Sequence, residues 1–568
     1  MDGTWILGAC LCAPYLGYLA IKNIGRYLYP PAEELEPDTS VYGTPILYTH
    51  VGPLQPKGIM TDTTDNSAPM TLTDEQQAAV DEMVAARASG GALLGADMGT
   101  GKTVISVAFC QAVDAKTILV IAPLQTMGAP DEGGWWGTFD QQGSTLPFRQ
   151  IDSTESGKQA LADYQWSVPG IYFVGQEYFV RIGQDTVPVM IRKDVPKLSK
   201  KTGKPLTKQV DNGTWSTVKP DVVIFDEVHR AQSVESRTHA VLMLVDAAFK
   251  IGASGTPTGN SFDGAYAVCK WIWPHLAEAN IYDWRAKWAK VKYSPFAVRN
   301  QETVGERVEG AYFNSLPCYI RIESDDDFKI DDQIVLVDLF PEQRRVYDEL
   351  DLQMVAWIND NPMVTKLPVT KRVRQRQATL GMPSIRWFTN PKTGEQDFEV
   401  TFDNDCQSSK IEKSYKILEQ DFENLPALIF TDSQLFARVL TWRLNKRYGE
   451  GVAREWSGKI TRKKRNEDKK AFIAGEYKYM VAVIAAAGTG TDGLQLATDN
   501  MLYMSASDSR IDNLQSMKRL ARRGQKSALV KIRRLHAVDT IDSGQHSKQA
   551  EQALAMNRSL KRKMKLNR

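Results

Sequence analysis

ADMGTGKT, Ala96–Thr103, is the stretch that decides how this chain is read. It follows a small apolar run (Gly91–Leu94) and precedes a helix-like run (Val104–Val113), the strand–loop–helix setting of a phosphate loop. The loop residues Gly99, Thr100 and Gly101 are expected to wrap a triphosphate, because glycine tolerates close approach of backbone N–H groups to phosphate. Lys102 would reach the β and γ phosphates and Thr103 would hold Mg²⁺, which makes ATP and Mg²⁺ the expected cofactors. Ala96 stands where such loops usually begin with glycine. A GxGKT alone also fits an ordinary glycine turn at a helix start, so the motifs that follow it carry weight.

The first of these is DVVIFDEVHR, Asp221–Arg230, an apolar strand ending in two adjacent carboxylates and a DEAH-like box. Side chains at the carboxyl end of a strand project into the cleft where open α/β sheets bind nucleotides. Asp226 is placed to bind Mg²⁺ and Glu227 to orient or deprotonate an attacking water. Adjacent buried acids repel without a cation, so a divalent metal is the natural partner. The second is QSMKRLARRGQ, Gln515–Gln525. If helical, it puts Arg519 and Arg522 three apart on one face, suited to a γ-phosphate as arginine fingers. The other reading is a basic face touching solvent or nucleic-acid phosphate, a role open to Lys518 and Arg523.

In this order the motifs resemble helicase superfamily two, and in detail the Swi/Snf-type double-stranded DNA translocases in the compact single-chain form that phages carry. The resemblance runs from about Leu72 to Gln525. LTDEQQAAV (Leu72–Val80) is similar to the opening glutamine motif, with Gln76 in the adenine-reading position. TILVIAPL (Thr117–Leu124) resembles the first nucleic-acid strand, and GWW (Gly134–Trp136) sits where the family often has a tryptophan. SGTPTGN (Ser254–Asn260) resembles the coupling motif. FPEQRRVYDEL (Phe340–Leu350), RQRQATLGMPS (Arg374–Ser384) and SSKIEKSYKIL (Ser408–Leu418) resemble segments that set Swi/Snf motors apart from other helicases. ALIFTDSQ (Ala427–Gln434) and AAGTGTDGLQLATDN (Ala486–Asn500) complete the second motor lobe. Lys518 departs from the family's usual glycine, Gln495 from a common asparagine and Val228 from a commoner alanine. None of these removes a charge or metal ligand.

The resemblance implies a DNA-dependent ATPase that moves along duplex DNA and remodels or displaces what is bound there, with DNA and DNA-bound proteins as partners. The alternatives are a strand-separating helicase or the motor of a restriction-like system, and, from another class, a nucleotide-gated DNA-binding scaffold.

The chain has 568 residues, too many for one core. Its 42% hydrophobic and 24% charged residues are globular values. Seventy basic against 68 acidic residues give +2, which excludes a uniformly basic nucleic-acid protein and confines DNA contact to local patches. The six cysteines show no CxxC spacing, which fits a reducing cytoplasm.

Apolar runs at Thr117–Ala122, Ile171–Val174, Val222–Phe225 and Phe249–Ser254 predict one mainly parallel sheet. Those at Ile334–Leu339, Ala427–Phe430, Tyr479–Ala485, Asn500–Tyr503 and Ala528–Ile532 predict a second. The expected fold is therefore α/β, two RecA-like parallel-sheet lobes in tandem with helical insertions, at residues 70–315 and 316–545. Residues 31–69 read as a linker and 546–568 as a basic tail, either a DNA-affinity element or a soluble end. Residues 1–30 carry an uncharged stretch, Gly3–Ile21, close to the roughly 20 residues that span a bilayer. It reads either as a membrane tether or as sequence upstream of a true start at Met60 or Met70. Arg192–Lys219 reads as a basic hairpin on DNA or a solvated loop. Trp271, Trp273, Trp284 and Trp288 read as packing within a helical protrusion, with base stacking as the alternative.

Overall fold

The computed structural model describes residues 71–128, 134–192, 195–197, 199, 205–294, 300–324, 328–358, 361–364, 368–389, 394, 396–487, 493–522, 524–543 and 560. The leader, the linker and nearly all of the basic tail lie outside them, as do residues 488–492 of AAGTGTDGLQLATDN, and Arg523.

Seven strands form the first sheet: β1 (Gly91–Ala96), β2 (Thr117–Ala122), β3 (Phe148–Ile151), β4 (Gly170–Gly175), β5 (Val222–Asp226), β6 (Phe249–Ala253) and β7 (Tyr319–Ile322). Their order across the sheet is β7-β1-β6-β5-β2-β4-β3, and every pairing is parallel. Strands β1, β2, β4, β5 and β6 are buried along their whole length. A parallel strand covered on both faces reads as a continuous apolar run rather than an alternating one. The second sheet holds β8 (Lys329–Val337), β9 (Ala427–Thr431), β10 (Ala453–Trp456), β11 (Tyr479–Val483), β12 (Asn500–Tyr503) and β13 (Leu529–Ala537). Its order is β8-β13-β12-β9-β11-β10, again all parallel. Side chains alternate along β9, so Ala427 and Ile429 join one buried cluster while Leu428 and Phe430 join another on the opposite face.

The fold is thus the α/β, two-sheet arrangement expected, and both lobes belong to one compact unit. Several expectations need correction. The strand Tyr319–Ile322 pairs with β1, so the first sheet runs past residue 315, where the lobe boundary was expected. The strand expected at Ile334–Leu339 spans Lys329–Val337, because it pairs in register with β13 from Lys329↔Leu529 to Val337↔Ala537. Leu560, from the expected tail, is buried in the first lobe's core, and its carbonyl accepts a hydrogen bond from the Tyr319 hydroxyl at 3.3 Å.

Trp271, Trp273 and Trp284 are buried in the first core, with Trp288 packed against it, which is the packing reading. The basic insertion belongs to an antiparallel ribbon in which Gln184–Pro188 pairs with Thr207–Asp211. Among the described residues no helix is long and apolar enough to cross a membrane.

Candidate active site

The carboxyl ends of the interior strands β1, β6 and β5 lie side by side, and the candidate residues converge there. β1 leads through the loop Asp97–Gly101 into helix α2 (Lys102–Ala112). Gly101 caps α2 at φ 92°, ψ 29°, in the left-handed region that L side chains avoid. A Cβ at this position would also collide with Gln76 Nε2. The loop therefore closes tightly and presents the start of an eleven-residue helix, a favourable end for an anion. Lys102 folds back over the loop, its Nζ donating to the carbonyls of Ala96 (2.9 Å) and Asp97 (3.1 Å). Thr100 Oγ1 donates to Asp97 O at 2.8 Å. Thr103 is the second residue of α2 and is half-buried.

Gln76 reaches the loop from helix α1 (Asp74–Ala85). Its Oε1 accepts from Thr73 N and its Nε2 donates to Thr100 O at 3.1 Å. The first contact belongs to a capping box with Thr73, so one side chain both starts the helix and braces the loop. Asp97 is held from β7, where Arg321 Nη1 lies 2.9 Å from its Oδ1. A cleft of about 760 Å³ opens beside this loop, lined among others by Thr73, Gln76, Gly99, Phe328 and Gln525.

At the end of β5, Asp226 is buried and its carboxylate has three polar neighbours. Oδ2 accepts from Trp135 Nε1 at 3.0 Å and lies 3.3 Å from Thr126 Oγ1; Oδ1 accepts from Glu227 N at 3.0 Å. Glu227 adopts φ 53°, ψ 51°, uncommon for a residue with a side chain. Its Oε2 accepts from Ser254 Oγ at 3.3 Å and lies 3.2 Å from His229 Nδ1. Burial and the neighbouring Glu227 charge push the Asp226 carboxyl up to about 6, against the opposing pull of Trp135 and Lys102. For Glu227 burial also opposes ionisation. The His229 hydrogen bond and the charges of Lys102 and Arg519 outweigh it and hold the carboxyl low, at about 2. The two acids are thus driven apart, one poised near neutrality and one firmly ionised.

The second lobe supplies the arginines. The condition that would put Arg519 and Arg522 on one helix face is not met: helix α3 (Arg510–Met517) ends just before them. Beyond it the bonds tighten, with Arg519 N donating to Ser516 O and Arg522 N to Leu520 O, because Leu520 and Ala521 turn inward and are fully buried. The turn nevertheless delivers both arginines to the first lobe. Arg522 Nη2 lies 3.8 Å from where a Cβ on Gly99 would sit, and the charge of Arg519 acts on Glu227. Lys518 Nζ reaches Ser324 Oγ at 3.3 Å.

Sequence reasoning missed the contacts that join these pieces. Arg510 Nη2 donates to Gly259 O at 3.0 Å, and Ile511 N donates to Asn260 Oδ1 at 3.3 Å, docking α3 on the loop after β6. The bond from Trp135 to Asp226 and the His229–Ser254–Glu227 cluster were also missed. GWW and DEVH carried the relevant side chains, but nothing local showed where they point.

No protein-family model matches the chain, and no curated protein matches it. Among solved structures it is similar to the Sulfolobus solfataricus SWI2/SNF2 ATPase core in complex with dsDNA. The identity is 14%, over 87% of this chain and 95% of that one, with a TM-score of 0.35.

Proposed function

We propose that this chain is a Mg²⁺- and ATP-dependent motor that travels along duplex DNA and displaces or remodels what is bound there. The observation that carries the reading is the meeting of Arg519 and Arg522, from one lobe, with the Gly99 loop and Glu227 of the other. Such a joint responds to the nucleotide between the lobes and so couples hydrolysis to lobe movement.

Each residue has a part in this reading. The loop Gly99–Thr100–Gly101 and the start of α2 hold the phosphates, and Lys102 swings from its two carbonyls onto them. Gln76 lines the cleft beside the loop, where it can meet the base. The Thr103 hydroxyl and the Asp226 carboxylate form the hard oxygen set that Mg²⁺ prefers. The raised Asp226 carboxyl fits a dication, which would offset the repulsion from Glu227. Bound there, Mg²⁺ would neutralise charge on the phosphate oxygens. Glu227, ionised and steadied by Ser254 and His229, orients the attacking water. Arg519 and Arg522 stabilise charge that grows on the transferred phosphate.

Duplex DNA as the track rests on the resemblance of the segments between Phe340 and Leu418 to Swi/Snf motors. A translocase of that kind displaces a triplex-forming third strand while leaving a forked duplex largely paired. Efficient fork separation without triplex displacement would move the assignment to a strand-separating helicase.

A further inference from the structure

One contact at the site comes from an element with no part in the chemistry described above. Trp135 is buried near the start of the helix Gly134–Gln141, and its indole N–H donates to Asp226 Oδ2 at 3.0 Å, ninety-one residues away in sequence. Indole is a donor only, so this bond satisfies the one polar atom of a buried ring. The Thr126 hydroxyl, 3.3 Å from the same oxygen, is 2.9 Å from the Pro123 carbonyl, and its single hydrogen serves the shorter bond. Trp135 is therefore the main donor to Oδ2. The opposite oxygen, Oδ1, takes the Glu227 backbone N–H. A carboxylate offers about four lone-pair sites. Pinning one oxygen from each side fixes the rotation of the group and leaves a lone pair on each oxygen for a cation.

The tryptophan is itself clamped. Its backbone N–H donates to Thr126 O at 3.0 Å, and Trp136 N donates to Met127 O at 3.0 Å. Gly134, at φ 74°, allows this closure, since a Cβ there would fall 2.6 Å from Thr126 O. The closure of Thr126 and Met127 on Trp135 and Trp136 thus sets where the indole N–H points.

We propose that Trp135 is a positioning residue for the divalent cation: it holds the Asp226 carboxylate in one rotation, with lone pairs left for the metal. The inference rests on the nucleotide-motor reading, and it concerns how this chain builds its metal site. Partners of this outer kind are typically worth about 10–100-fold in metal affinity.

The test is a titration of the full chain with Mn²⁺ at saturating ADP, reading unbound Mn²⁺ by electron paramagnetic resonance, beside ADP affinity without metal by calorimetry. Trp135→Phe keeps an aromatic ring and removes the donor. It should weaken Mn²⁺ binding by about 10–100-fold while leaving metal-free ADP affinity within about twofold of wild type. Gly134→Ala, at an exposed position, keeps the indole but displaces the neck; it should weaken Mn²⁺ in the same direction, and it decides the matter if Trp135→Phe does not fold. Trp136→Phe, beside the clamp but packed against Phe148 and Phe173, should bind Mn²⁺ normally. Wild-type Mn²⁺ affinity in Trp135→Phe, or in Gly134→Ala where Trp135→Phe does not fold, would overturn the proposal, as would an equal loss in Trp136→Phe. If the wild-type chain binds no Mn²⁺ with ADP, the motor reading fails and takes this inference with it. Binding by wild type with the variants unchanged sinks this inference alone.

Discussion

Replacing Arg510 with alanine removes the side chain that ties the second lobe to the loop after β6. Its guanidinium is buried, with Nη2 donating to the Gly259 carbonyl at 3.0 Å, and burial lowers its pKa from the usual value. A hydrogen bond from a charged donor contributes about 1.5–3 kcal/mol net, and part of that is offset here by the cost of burying the charge. The lower half of the range is therefore the expectation, about 1.5–2 kcal/mol, or roughly 10–30-fold in the equilibrium constant for this lobe arrangement. Arg519 and Arg522 follow directly after the same helix, so they lose their hold on the Gly99 loop and Glu227 in the same proportion. Lys102 and the loop itself lie wholly in the first lobe. Arg510→Ala should consequently lower kcat by about 10–30-fold with a smaller change in ATP affinity. Single-molecule energy transfer between dyes on the two lobes should show the loss of the docked population. A variant with wild-type kcat and an unchanged distance distribution would refute the claim that this contact holds the arginines in place.

Arg522→Ala should bind ATP nearly normally yet lose turnover by about 10³–10⁵-fold, with Arg519→Ala similar or milder; normal hydrolysis in Arg522→Ala would mean it is not the finger. Lys102→Ala should lose phosphate affinity and turnover together, measured by calorimetry and steady-state kinetics. Gly101→Ala forces an L side chain to φ 92° and against Gln76, so it should cost about 1–2 kcal/mol in chemical denaturation and abolish ATP binding. Normal ATP affinity in that variant would contradict the loop geometry. The Asp226 carboxyl, raised from 3.8 to about 6, must be ionised to hold a cation, so hydrolysis should fall as pH drops through about 6 and recover when Mg²⁺ is increased. Its effect on stability has the opposite sign. Between 3.8 and about 6 the folded chain binds more protons at this group than the unfolded chain, so this contribution declines as pH rises across that window. Hydrolysis that increases from pH 7 to pH 5 would contradict the placement.

How much of this was legible in the sequence follows from what local patterns can carry. Thr117–Ala122 and Asn500–Tyr503 are buried strands, and their unbroken apolar runs give their limits. Phe148–Ile151 and Ala453–Trp456 lie at sheet edges, are partly exposed, and carry polar residues that hide them. The polar groups of the Gly99 loop and of the strand ending at Asp226 and Glu227 are contiguous, so their spacing shows in the chain. Arg519 and Arg522 share a face only if that stretch is helical, but the helix ends at Met517 and Leu520 and Ala521 turn inward after it. The Trp135–Asp226 and Arg510–Gly259 bonds join residues 91 and 251 positions apart, and no periodicity encodes such pairs.

The central claim is that nucleotide closure between the lobes serves movement on DNA. It is tested most directly by the ATP hydrolysis rate of the full chain with no nucleic acid, with duplex DNA and with single-stranded RNA, over a range of salt. The account predicts strong stimulation by duplex DNA that weakens as salt rises, because phosphate contacts release counterions. Stimulation that is absent, or greater with single-stranded RNA than with duplex DNA, would contradict it.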